Sequence, residues 1–180
     1  GAKPAVGYAL TSTWTPLSGE QSDGYLRTDY FDSIAKANVP VIVVQQDIDK
    51  PANRGAIIGD GMAFQMKALG AVGALVEGNA RDIPGIEQAG LPLWATGRVP
   101  GHGPFNMIEH GVTVTVASLT IKPGDILVCD ADGATRVTVD EAADVAKMCA
   151  EVRAKEGALH KFFSVPDFTP AMWEEWKSKS

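Results

Sequence analysis

The stretch that most constrains the fold is "GDGMAFQMKALGAVGALVEGNARD", Gly59 to Asp82. Met62, Ala63, Met66 and Leu69 recur at helical spacing on one face, and Gly70 stands where a glycine ends a helix. The apolar run "AVGALV" that follows suits a strand buried on both faces. Upstream, "PVIVVQQ" is a short β-branched run of the same kind. Downstream, "DIPGIEQAG" suits a short helix and "LPLWATG" a strand. Strands alternating with helices require crossover connections, so this part of the chain predicts a partly parallel sheet.

The flanking segments follow other patterns. "PAVGYALTSTW" has the composition of a strand, and "TPLSGEQSDGY" is turn-rich and predicts an exposed loop. "TDYFDSIAKANV" offers Thr28 as an N-cap ahead of Tyr30, Phe31, Ile34 and Ala35 at helical spacing. After Gly103, "GVTVTVASLTIKPGDILVCDADGATRVTV" alternates β-branched residues with turns at Lys122–Asp125 and Asp130–Gly133, which predicts antiparallel strands. An amphipathic helix is expected from Asp140 to about Phe162, with Ala143, Val145, Met148, Cys149 and Val152 as its apolar positions. The tail beyond it carries Trp173 and Trp176 and is expected to pack on the body or on a neighbouring subunit. The fold class that results is α/β: a layered single domain with a mixed-parallel sheet and an antiparallel region.

The bulk numbers exclude several classes. The chain has 180 residues, enough for one real core, with 45% hydrophobic and 21% charged residues. A formal net charge of −6 and the lack of a basic cluster argue against nucleic acid as a partner. Cys129 and Cys149 make neither a disulfide framework nor a zinc motif, so a reduced, cytoplasmic setting is the default. No apolar run approaches the length of a membrane span. The opening "GAKPAVGYAL" does not read as a signal peptide and suggests an internal start.

Two glycine-rich junctions could carry chemistry. In "GDGM" small residues at a helix start let a ligand approach free backbone N–H groups, which attract anions. The run lacks the ending of a phosphate loop and the third glycine of a dinucleotide fingerprint. Alone, it also reads as a helix start capped by Asp60. In "GNARD" the loop follows a strand's carboxyl end, where α/β sheets bind ligands. Arg81 offers a planar fork for a carboxylate, while Asp82 and Asp60 offer hard oxygens to Mg²⁺ or Mn²⁺. Alone, this too reads as an arginine held by local carboxylates. Other candidates are weaker: His102 reads as a loop residue in "PGHGP", His110 and His160 lack metal-ligand spacing, "DADG" reads as a tight turn, and Glu151 and Glu156 read as solvated helix charges.

Together, Gly59, Asp60, Ala68, Gly70, Gly73, Gly78, Arg81 and Asp82 resemble the core motif of the RraA-like family. That family includes the regulator of ribonuclease activity A and the 4-hydroxy-4-methyl-2-oxoglutarate/4-carboxy-4-hydroxy-2-oxoadipate aldolases. "PLWATG", "GVTV" and "IKPGDILVCDADGATRV" resemble further family segments in the same order. The likeness runs from residue 5 to about residue 160. It implies a β/β/α swivelling-type domain over residues 1–162, with residues 163–180 as a tail, assembling as a homotrimer or homohexamer. The family's N-terminal helical segment has no match here, Glu77 replaces the more usual Asp, and "NVPVIVVQQ" lacks the Gly-Asp that commonly leads its strand.

For function, the resemblance implies a lyase that depends on Mg²⁺ or Mn²⁺. It would cleave or decarboxylate 2-oxo acids and diacids to pyruvate, as a class II pyruvate aldolase with oxaloacetate decarboxylase activity. Asp82 would hold the metal, and Arg81 would bind substrate and share the enolate charge. Gly59 and the backbone amides of Gly61 and Met62 would receive the pyruvyl carboxylate. Asp60 would assist proton transfer, with a Glu supplied by a neighbouring subunit, matched first by Glu156 and second by Glu151. The competing class is a non-catalytic regulator that binds a ribonuclease. Some relatives carry a menaquinone methyltransferase name, but the sequence shows no glycine motif for a methyl donor.

Overall fold

The computed structural model describes residues 4–19 and 24–179. It divides into two compact units, Gly1–Val139 and Asp140–Ser180. In the first, the elements run β1 (Ala5–Thr15), α1 (Tyr25–Lys36), β2 (Val41–Asp47), β3 (Ala56–Ile58), α2 (Asp60–Ala68), β4 (Ala71–Ala80), α3 (Ile83–Ala89) and β5 (Leu93–Arg98). They continue with β6 (Asn106–His110), β7 (Val114–Val116), β8 (Leu119–Ile121), β9 (Ile126–Cys129) and β10 (Ala134–Val137). Part of the loop read from "TPLSGEQSDGY", residues 20–23, lies outside the described residues.

The main sheet has the order β10-β9-β1-β2-β4-β3, with β5 also on β4 and β6 also on β1. The pairs β1–β2, β2–β4, β3–β4 and β4–β5 are parallel, whereas β6 and β9 on β1, and β10 on β9, are antiparallel. A β7–β8 hairpin forms a second, small antiparallel sheet. This is the mixed α/β class expected from the sequence, and the parallel pairs fall in the segment whose strands alternate with helices.

The pleat of the central strands sorts side chains into two cores. Val41 and Val43 of β2, with Ala74 and Val76 of β4, meet Tyr30, Phe31 and Ile34 of α1, Ala63 and Met66 of α2, and Ile86 of α3. On the alternate residues, Ile42, Val44 and Leu75 pack with Val114, Val116 and Ile121 of the hairpin and Leu127 and Cys129 of β9. Three layers result: helices, main sheet, hairpin. Glu77 helps fix the third layer, because its carboxylate accepts the N–H of Ala117, a turn residue with φ +50°.

Two helix ends differ from or match expectation for local reasons. α1 begins before Thr28, at Tyr25, because Gly24 takes the left-handed conformation (φ +80°) and its carbonyl accepts the Thr28 N–H and hydroxyl. Thr28 is therefore inside the first turn and not its cap. α2 ends as read, with Gly70 at φ +104°.

The second unit holds a short 3-10 turn (Val139–Glu141 at its junction), α4 (Ala142–Phe163) and α5 (Pro170–Lys179). The division thus falls ahead of the long helix, and α4 groups with the tail. Trp173 and Trp176 stack on each other at 5.2 Å, Phe162 stacks on Trp176 at 5.6 Å, and Phe163 meets Trp173 at 5.1 Å. The tail tryptophans therefore close on the end of the helix that precedes them. Among the described residues no helix is long and apolar enough to cross a membrane.

Candidate active site

β3 and β4 are adjacent parallel strands, so the loops at their carboxyl ends leave the sheet side by side. Ile58 pairs with Ala80 in register, and the Arg81 N–H donates to the Ile58 carbonyl at 3.0 Å. One strand end passes into Gly59 and α2, the other into Arg81, Asp82 and α3. This juxtaposition brings together two motifs separated by a helix and a strand in sequence. It lies at the end of a parallel sheet where ligands commonly bind.

Space at the junction is tight. A methyl group on Gly59 would stand 3.2 Å from both Arg81 Nε and Asp82 Oδ2. Arg81 and Asp82 pair at 3.3 Å (Nη1 to Oδ2), each side chain little more than a third exposed. Such a pair contributes little to stability, but it fixes the guanidinium next to a carboxylate at a glycine. Asp60 joins from the other side: its Cβ lies 2.6 Å from where a Gly85 Cβ would be, with Oδ2 at 2.8 Å. The Asp60 carboxylate therefore rests over the first turn of α3, and both glycines keep room for it and for the Arg81–Asp82 pair.

The backbone carries its own signature. Asp82 adopts the left-handed conformation (φ +56°, ψ +40°), and its carbonyl accepts the N–H groups of Gly85 and Ile86. Asp tolerates this region better than most residues. Phe105, with φ +64°, is a less natural occupant. Non-glycine residues in this region cluster at ligand sites, held there by their surroundings.

A cavity of about 280 Å³ opens here, lined by Gly59 to Met62, Ile58 and Arg81 together with Arg27, His102 and Phe105. Met62 belongs to the α2 first turn, where N–H groups have no partner inside the helix. The Gly61 N–H is already engaged by Asp60 Oδ1 at 2.6 Å. Asp82 flanks this lining through its pair with Arg81. A larger cavity of about 680 Å³ lies between α3 and β5, walled largely by Ile83, Ile86, Leu91 and Leu93, with none of the expected site residues.

The residues read from sequence thus divide. Gly59, Asp60, Gly61, Met62, Arg81 and Asp82 come together at one end of the sheet. Glu156 lies in the second unit, exposed on α4, beside Met148, Val152 and Arg153 in a separate shallow cavity. Arg27, His102 and Phe105 were not read as site residues. For His102 a signal existed: its loop follows the carboxyl end of β5, another parallel strand. Its Nδ1 lies 2.8 Å from the Gly103 carbonyl. A carbonyl only accepts, so Nδ1 is the donor in this contact. Arg27 had no comparable signal.

The donor set suits a hard divalent cation. Among the described residues there is no group of three or more His, Cys, Asp or Glu side chains able to hold a metal. Zinc-type closure is thus not built from these residues. Mg²⁺ is commonly held by one or two carboxylates, with water and substrate oxygens completing its shell, and Asp82 with Asp60 supplies that number.

The chain is similar to several known proteins. The chain spans 58% of an uncharacterized protein of Methanocaldococcus jannaschii, with 24% identity over 66% of its own length. A Halalkalibacterium halodurans protein named "Putative 4-hydroxy-4-methyl-2-oxoglutarate aldolase" is 29% identical over 86% of this chain and 78% of that protein. The crystal structure of Streptomyces coelicolor RraAS2, an unusual member of the RNase ES inhibitor RraA protein family, superimposes with a TM-score of 0.74. It has 23% identity and covers 88% of this chain and 77% of that one. The family profile described as "RraA-like: Aldolase/RraA" matches residues 2–136. With its motifs folded around one sheet end and that profile spanning most of its length, the chain belongs to the RraA-like family.

Proposed function

We propose that the protein is a divalent-metal-dependent lyase that cleaves or decarboxylates 2-oxo acids to pyruvate. The observation that carries this reading is the junction itself: Arg81, Asp82 and Asp60 gathered around Gly59 and Gly85, beside a cavity sized for a small acid. Halalkalibacterium halodurans supplies a relative with an aldolase name, which favours the same chemistry.

Asp82 would hold Mg²⁺ or Mn²⁺, which leaves Asp60 for proton transfer. When bound, the cation supplies Lewis-acid withdrawal of charge from the substrate's 2-oxo oxygen. The rest follows from the chain's own groups. The first turn of α2 at Gly61 and Met62 orients the pyruvyl carboxylate, the Gly61 N–H exchanging Asp60 for substrate. Arg81 fixes the oxo acid and shares the negative charge that develops on the enolate oxygen. Asp60 accepts the proton of the 4-hydroxyl group. The C3–C4 bond then breaks, its electron pair forms the pyruvate enolate, and the carbonyl fragment leaves. The proton taken up by Asp60 passes to C3 and gives pyruvate. Loss of CO₂ from oxaloacetate yields the same enolate, so one site serves both reactions. Glu156 is assigned as an acid contributed by a neighbouring copy in a trimer or hexamer.

The test is pyruvate release from oxaloacetate and 4-hydroxy-4-methyl-2-oxoglutarate, with Mg²⁺ or Mn²⁺ added and then removed by EDTA. The expected result is turnover that chelation abolishes and excess metal restores. Undiminished turnover in EDTA overturns the metal-dependent reading. No turnover with either metal, together with capture of an endoribonuclease, assigns the protein to the regulators of the family.

A further inference from the structure

Arg27 has a place in the cavity that the chemistry above does not use. It projects from the first turn of α1 into the same lining as Arg81, and it also lines an adjoining cavity of about 480 Å³ that shares Gly61 and Met62. Two guanidinium groups thus face one small acid site in a chain of net charge −6.

No described carboxylate neutralises the Arg27 charge. Among the described residues it forms no ion pair. The nearby α1 carboxylates are occupied elsewhere, Asp29 with His110 at 2.9 Å and Asp32 with Lys36 at 3.1 Å. What holds Arg27 is aromatic: its guanidinium carbon lies 5.9 Å from the centroid of the Phe105 ring, within cation–π range. Phe105 is itself fixed, with its ring 5.0 Å from that of the fully buried Trp14 and its N–H donating to the Pro16 carbonyl at 3.2 Å. An aromatic platform holds the cation without neutralising it, and a guanidinium fork left in that state suits a carboxylate.

We propose that Arg27 reads a second carboxylate on the substrate, so that the site selects 2-oxo diacids over 2-oxo acids ending in a methyl group. This inference rests on the lyase reading above and adds a specificity-determining residue to it. Arg81 and the α2 first turn take the pyruvyl end; Arg27, seated on Phe105 where the two cavities join, takes the distal end.

Calorimetry with Mg²⁺ present can compare 2-oxoglutarate with 2-oxopentanoate, two five-carbon acids that differ in a terminal carboxylate against a methyl group. The wild-type protein is expected to favour the diacid by about 10- to 100-fold, as for a charge-assisted contact. Arg27→Gln is expected to reduce that ratio by about tenfold or more, and Arg27→Lys to recover part of it. Equal affinity of the wild type for the two acids, or an unchanged ratio in Arg27→Gln, overturns the role of Arg27 and leaves the lyase reading standing. Failure to bind either acid, with no pyruvate formed from any 2-oxo acid, overturns both.

Discussion

At the scale of single residues, Gly59 and Gly85 separate packing from chemistry. A methyl group on Gly59 would press at 3.2 Å on Arg81 Nε and Asp82 Oδ2, atoms of side chains that can yield slightly. Gly59→Ala is therefore expected to change stability by less than about 1.5 kcal/mol. It should nonetheless lower kcat/KM for pyruvate release by about 100-fold, because a small misplacement of positioned groups is costly. Gly85→Ala meets the Asp60 Cβ at 2.6 Å, an atom tied to the backbone. It is expected to lose about 1–3 kcal/mol by overpacking, and urea unfolding of both variants distinguishes the two outcomes. Arg81→Ala removes the proposed partner of the enolate and should cost about 10²- to 10³-fold in kcat. An Arg81→Ala enzyme with wild-type turnover would remove Arg81 from the mechanism.

Elements set how exposed each reactive group becomes. Cys129 ends β9 in the inner core, whereas Cys149 is exposed on α4. Burial, and secondarily the Asp130 charge, push the Cys129 thiol from 9.0 up to about 11. Titration with a thiol reagent near neutral pH should leave Cys129 unmodified in the native protein and reach it in denaturant. The same shift has a signed consequence for stability. The neutral thiol is favoured in the folded state, so its contribution is complete below pH 9 and is lost as pH rises toward about 11. Cys129→Val should flatten the wild-type fall in Tm across that window; an unchanged slope would refute the assignment. Burial also raises the Tyr30 phenol, packed between α1 and the sheet, which keeps it neutral.

The same scale shows what periodicity could and could not convey. Apolar spacing in β2, β4 and α2 was readable because each buries a face or both faces, and burial dictates residue type. The start of α1 was not, because Gly24 in the left-handed conformation did the work assigned to Thr28, and that depends on backbone geometry. The replacement Glu77 looked like a departure from the family pattern. Its reach to the Ala117 N–H gives it a structural task in joining β4 to the hairpin.

For the whole molecule, the exposed stripe of Val145, Met148 and Val152 on α4 matters most. Apolar positions of this kind favour association, in keeping with the trimer or hexamer proposed above. Light scattering after size exclusion should give a mass of three or six chains, and Met148→Glu with Val152→Glu should lower it. A wild-type monomer that retains full turnover would remove Glu156 of a neighbouring copy from the mechanism.

The alternation of strands and helices was legible in the sequence by itself, except for the short strands β3 and β6, and the grouping of Gly59–Asp60 with Arg81–Asp82 was legible as what the family resemblance implies. One helix and one strand between two glycine junctions leave few ways for the chain to return, and parallel neighbours end side by side. Arg27, His102 and Phe105 entered the site only through tertiary structure. They come from α1 and from the loop after β5, and apart from the place of His102 after a parallel strand's carboxyl end nothing local in either segment encodes their approach. That approach follows from which strands are neighbours in the sheet and from the Trp14 core that seats Phe105, both products of contacts between residues far apart in the chain.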